Sequence, residues 1–81
     1  MVDDGQWQVE TETSVYYVDV ELKSVMRRPN KGSVVLVNDG KWFTYTSIIE
    51  CAVGQPFRFT FLYDGQVLER IATNVTKMEK A

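Results

Sequence analysis

Eighty-one residues suffice for one domain but not for two, and 44% hydrophobic, 12% aromatic and 25% charged residues describe a globular chain rather than a disordered one. Nine basic against eleven acidic residues leave a formal charge of −2. That balance argues against a whole-surface nucleic-acid binder, which needs a basic field to hold phosphates, and leaves room for a local basic patch.

The first five residues, Met1 to Gly5, carry neither a basic nor an apolar signal region and are expected to be flexible, with a single domain over 6–79. Period-two alternation then starts. Trp7, Val9 and Thr11 alternate with Gln6, Gln8, Glu10 and Glu12, which predicts a strand with one wet face. In the β-branched and aromatic run Val15 to Val20, one face carries Tyr16, Val18, Val20 and Leu22 and is assigned to the core. The other face carries Val15, Tyr17, Asp19 and Glu21, including both charges.

A turn near Glu21–Ser24 leads into a short strand, Val25-Met26-Arg27, and Pro29-Asn30-Lys31-Gly32 ends it. Val34-Val35-Leu36-Val37 is a continuous apolar run whose length and branching favour a buried strand. Asn38-Asp39-Gly40-Lys41 suits a two-residue hairpin turn into the strand Trp42–Thr46. Ser47–Val53 is ambiguous between strand and helical turn, and Gly54-Gln55-Pro56 breaks it. Phe57, Phe59, Phe61 and Tyr63 then form an aromatic ladder, Asp64-Gly65 turns the chain, and Gln66–Ile71 returns. A last run, Asn74–Met78, can close the sheet, with Lys80 and Ala81 expected to fray.

Nowhere does a 3.6-residue period persist over twelve residues. The chain reads as all-β: a small antiparallel barrel or sandwich of six to eight short strands, SH3-like or OB-like. Closure is favoured because open edges in so small a sheet invite aggregation.

The chain has no histidine and one cysteine, Cys51. A Ser-His-Asp or Cys-His nucleophile is therefore excluded, and so is a cysteine–histidine zinc cluster; no cofactor or metal is expected. The carboxylates Glu10, Glu12, Asp19, Glu21 and Glu50 read as solvated strand faces rather than as a catalytic pair, so an enzyme is not expected. A lone cysteine and the absence of a signal sequence or apolar span suggest a cytoplasmic setting.

Two surfaces are left to explain. On adjacent strand residues one side chain must face away from the other, so Tyr17 and either Trp42 or Phe43 stand out as protein-binding candidates unless a second layer covers them. Lys23, Arg27, Arg28 and Lys31 gather within nine residues and could grip phosphates or an acidic partner, or simply be solvated.

Trp7-x-Val9, Thr13-Ser14-x-Tyr16-x-Val18-Asp19, Val25-x-Arg27-x-Pro29, Asn38-Asp39-Gly40 and Glu50-Cys51-x-Val53-Gly54-x-Pro56 form a further pattern. It resembles small uncharacterised all-β proteins of actinobacteria and their phages, over about Trp7 to Val75. The resemblance implies an all-β fold and, for a phage-encoded chain, the cytoplasm of a bacterial host; it transfers no catalytic residue. The expected function is a non-enzymatic module that binds another protein, or itself, through an exposed sheet face or edge. The alternative is a nucleic-acid-binding barrel using the basic loop.

Overall fold

Alternation fixes which side chains can meet, and the computed structural model, which describes Asp4 to Ala81, shows how they do. Six strands run in chain order: β1 (Gln6–Thr11), β2 (Ser14–Asp19), β3 (Ser24–Pro29), β4 (Phe43–Glu50), β5 (Pro56–Tyr63) and β6 (Gln66–Lys80). Every sequential pair is antiparallel, and β1 pairs with β6 to close a barrel. This is an up-and-down circuit, without the Greek-key connection of an OB-fold.

The core is built by inward-facing alternate residues. Val9 from β1, Tyr16 and Val18 from β2, Val25 from β3, Tyr45 from β4, Phe57, Phe59 and Phe61 from β5 and Val75 from β6 are all buried. Tyr16 meets Phe57 edge-on at 5.0 Å between centroids, and Phe59 at 5.8 Å. Such pairs contribute about 0.5–1.5 kcal/mol each beyond the area they bury. The predicted aromatic ladder therefore holds through Phe61. Tyr63, beyond the end of the core, is exposed.

One strand serves two sheets. Gln66–Asn74 of β6 pairs with β5, and Val75–Lys80 pairs with β1. The two predicted end segments are thus a single strand, whose register against β1 shifts between Glu10 and Thr11 and whose Val75 also bridges Val53. Lys80 pairs with Trp7 and the Ala81 amide donates to the Gln6 carbonyl at 2.8 Å, so the end of the chain is paired rather than frayed. Of the predicted flexible start, Met1 to Asp3 lie outside the described residues. Gly5 is held, its carbonyl accepting from the Val20 amide at 3.0 Å.

The weak join of the circuit is between β3 and β4, where only Ser24 with Thr44 and Val25 with Phe43 are in register. The connection from Asn30 to Trp42 fills the gap beside the rest of β3. Here the sequence expectation fails: Val34–Val37 is neither a strand nor buried, with Val34 and Val35 each 74% exposed. The circuit closes with six strands, and the connection lies in the gap beside β3 as an irregular segment. The Asn38–Lys41 turn does form, with positive φ at Asn38 and Gly40, but inside this connection and not between paired strands.

Two smaller corrections concern the β2–β3 turn. Leu22, expected in the core, is 74% exposed because β2 ends at Asp19. Asp19, expected in water, is buried: its carboxylate accepts from the Leu22 amide at 3.0 Å and from Gln6 Nε2 at 3.2 Å, which closes the turn.

Candidate functional site

The β3–β4 connection is where this small barrel departs from economical packing. Five of its side chains, Val34, Val35, Leu36, Val37 and Trp42, are large, apolar and exposed. A loose loop would explain such exposure. This connection is tied down instead, by polar groups that reach it from the barrel.

Arg27 supplies the central tie. It follows Val25 at strand spacing, so its side chain enters the barrel on the core side, where it is 4% exposed. There Nη1 ion-pairs with the Asp39 carboxylate and donates to the Val34 carbonyl at 3.2 Å. The same Asp39 carboxylate accepts from the Leu36 amide at 2.7 Å, and the Arg27 carbonyl accepts from the Gly40 amide at 2.8 Å. From the opposite wall, Arg70 of β6 donates through Nη2 to the Val37 carbonyl at 3.4 Å. At the near end, the Thr13 carbonyl accepts from the Asn30 amide at 2.9 Å and from Ser33 Oγ at 2.7 Å. Two buried guanidinium groups need acceptors, and the backbone of the apolar run provides them.

Beneath the connection lies an open cleft of about 430 Å³. Tyr16, Arg27 and Arg70 line it together with Val34 and Leu36 from the connection and Ile71 to Thr73 from β6. Burial pushes the Tyr16 phenol above its ordinary pKa, against the opposing pull of Arg70 and Arg27. It therefore stays a neutral hydroxyl at physiological pH.

The residues singled out by sequence are divided by the fold. Trp42 is half exposed and lines a shallow outer cleft with Gln6, Asp19, Leu22 and Ser24. Phe43 turns the other way: it packs on Phe61 at 5.3 Å and on Phe59, so it belongs to the core and not to a binding face. Tyr17 is half-buried on the outside, with the Arg28 guanidinium 5.8 Å from its ring centre.

The basic set is also split. Arg27 is buried against Asp39 and cannot reach a phosphate. Lys23, Arg28 and Lys31 are exposed, but Lys23 precedes β3 while Arg28 and Lys31 lie at its far end, about 17 Å away at the rise of a strand.

Arg70 and the cleft are what sequence reasoning missed. The available signal was parity: Arg70 sits opposite Phe59 in the β5–β6 register, and so must point inward. Among the described residues no group of three or more potential metal ligands converges, and no helix is long and apolar enough to cross a membrane. Comparison of the chain with family models, with curated proteins and with solved structures returns no match.

Proposed function

We propose that this chain is a non-enzymatic protein-interaction module that holds another protein, or a second copy of itself, against the apolar connection between β3 and β4. The observation that carries the reading is Val34, Val35, Leu36, Val37 and Trp42 standing exposed on a segment whose backbone is bound from below by two buried arginines. Exposed apolar patches on small soluble domains mark contact surfaces, and a loop positioned by a rigid scaffold is the usual carrier. A standard interface covers about 800 Å² on each partner, roughly a sixth of the 4885 Å² surface of this chain. Five side chains do not fill that area, so the contact extends over neighbouring exposed residues, of which Ile71 lies across the cleft from Val34 and Leu36.

The test compares the wild type with Val35→Glu. Sedimentation equilibrium at rising protein concentration reads self-association, and affinity capture reads heterologous binding. The reading predicts either a dimer that the variant abolishes or a discrete captured protein that the variant loses. A wild type that stays at the 9.3 kDa monomer mass and retains nothing the variant releases defeats it.

A further inference from the structure

The cleft under the connection has an electrostatic imbalance that the interaction surface does not use. Two guanidiniums, Arg27 and Arg70, face one carboxylate, Asp39, so the polar floor carries a net charge of +1 in a protein whose overall charge is −2. Arg27 spends Nη1 on Asp39 and Val34, and its Nε and the Asp39 Oδ1 are buried without a partner. Arg70 is less well served: it is 9% exposed, its Nη2 makes one long bond to the Val37 carbonyl, and its Nη1 has no partner. Its guanidinium lies over the rings of Phe43 and Phe61, at 5.7 and 5.1 Å from their centres. Stacking of this kind holds the plane of an arginine while leaving its N–H edge for an in-plane acceptor. Of the remaining polar groups, the Thr13 and Thr73 hydroxyls bond each other at 3.1 Å and Ser33 Oγ donates to the Thr13 carbonyl, which leaves the Tyr16 phenol, beside Arg70, as the second polar contact at the site.

The walls are of a different kind. Val34 and Leu36 on one side face Ala72 on the other, with Ile71 at the outer rim, and the space of about 430 Å³ falls in the range of small-ligand sites. A single negative charge cancels the imbalance, whereas a phosphate dianion would overshoot it. A planar, monoanionic group on an apolar body matches both floor and walls.

We propose that this cleft binds a carboxylate carried on a short apolar stem, with Arg70 as its charge partner and Val34, Leu36 and Ala72 as the walls that take the stem. The bound carboxylate satisfies the buried donor that the free protein leaves unmade. A free aliphatic acid and the C-terminal carboxylate of an apolar peptide share this chemistry. Val34 and Leu36 also belong to the proposed contact surface, but the charge partner Arg70 does not, so titration of the isolated chain reads the cleft apart from any docked protein.

The experiment is a titration of the isotope-labelled chain followed by amide NMR shifts, using hexanoate, hexanamide, and acetyl-Ala-Val-Leu as its free acid and as its amide. Saturable shifts over Gly32–Leu36 and Ile71–Thr73 are expected with the acids and not with the amides. Response to hexanoate identifies free acids as the ligand, and response to the peptide acid identifies chain ends. Arg70→Met should weaken binding by at least about 10-fold, the loss expected for one charge-assisted hydrogen bond. Val34→Glu, at an exposed rim position, should weaken it through repulsion without touching the core, and it carries the test if Arg70→Met does not fold. Equal response to acid and amide overturns the proposal. So does no saturable shift with either acid at millimolar concentration, or acid binding that neither variant changes.

Discussion

Arg27 of β3 and Asp39 of the β3–β4 connection form an ion pair whose side chains are only 5% and 6% exposed. A pair this deep cannot be treated as surface decoration. Removing one partner leaves a charge in a medium that cannot solvate it, and the connection loses the group that orients it. Asp39→Ala should therefore lower stability by about 3–5 kcal/mol, read as a fall in the urea midpoint. The double variant Arg27→Met with Asp39→Leu should recover most of that loss, because neither charge remains. A double variant as unstable as the single would mean that hydrogen bonding to the connection, and not charge, dominates here.

The exposed and buried apolar residues should separate cleanly in melting experiments. Val35→Glu, at a 74% exposed position, should change stability by no more than about 0.5 kcal/mol, as surface substitutions generally do. Phe59→Ala empties the centre of the aromatic core and should cost about 3–5 kcal/mol. An equally large effect at Val35 would place that side chain in a structural role.

Alkali should destabilise the fold through groups held neutral by full or partial burial. Burial pushes the Cys51 thiol up to about 11, from an ordinary 9.0, and also raises the Tyr16 and Tyr45 phenols. A raised pKa means that the folded state holds its proton more tightly than the unfolded chain. The stabilisation is complete below the unfolded value and is lost as pH rises through the folded one, which for Cys51 spans about 9 to 11. Ellman's reagent at pH 8 should therefore label native Cys51 about tenfold more slowly than the unfolded chain, the fall in thiolate being partly offset by the greater nucleophilicity of a higher-pKa thiolate. Labelling at the unfolded rate would contradict the burial.

Closure depends on the last residues of the chain. Lys77, Met78, Glu79 and Lys80 pair with Glu10, Val9, Gln8 and Trp7. Deleting Lys77–Ala81 should open the barrel, exposing edges on β1 and at the end of β6. The expected readout is loss of the near-ultraviolet circular dichroism and of cooperative unfolding, together with concentration-dependent aggregation. A truncated chain that melts as sharply as the full one would show that closure is dispensable.

The Asp64-Gly65 turn should tolerate change asymmetrically. Both residues have positive φ, 52° and 75°, as a type I′ hairpin requires. Asp64→Gly removes a side chain from that strained region and should be close to neutral. Gly65→Ala should cost about 1–2 kcal/mol, visible as a drop in melting temperature, because a Cβ is disfavoured there.

Much of this architecture was legible in the chain itself. The Phe57-x-Phe59-x-Phe61 ladder, the alternation of β1 and the Asp64-Gly65 turn each depend on neighbours within a few positions. The 15-residue β6 was harder, because its inward parity changes: Arg70 and Ala72 face in on even positions, Val75 on an odd one, and Met78 on an even one again. Read locally, that strand falls into two runs with a gap. The candidate site was less legible still. Arg27 reads as one member of a basic cluster until its place two residues after Val25 sets it on the inner face. Trp42 and Phe43 were correctly expected to face opposite ways, but which one leaves the core is settled only by the rings of Phe59 and Phe61.

Strand periodicity and turn chemistry by themselves determined that this protein is an all-β domain with an aromatic interior, since both follow from the local geometry of the backbone. The tertiary structure alone decided that six strands complete the circuit and that Val34–Val37 stays outside it. The reason is that closure joins Trp7 to Lys80, from opposite ends of the chain. Once that ring is closed, only the outer half of β3 stays open, and the apolar run lies beside it without strand pairing, its carbonyls going instead to Arg27 and Arg70.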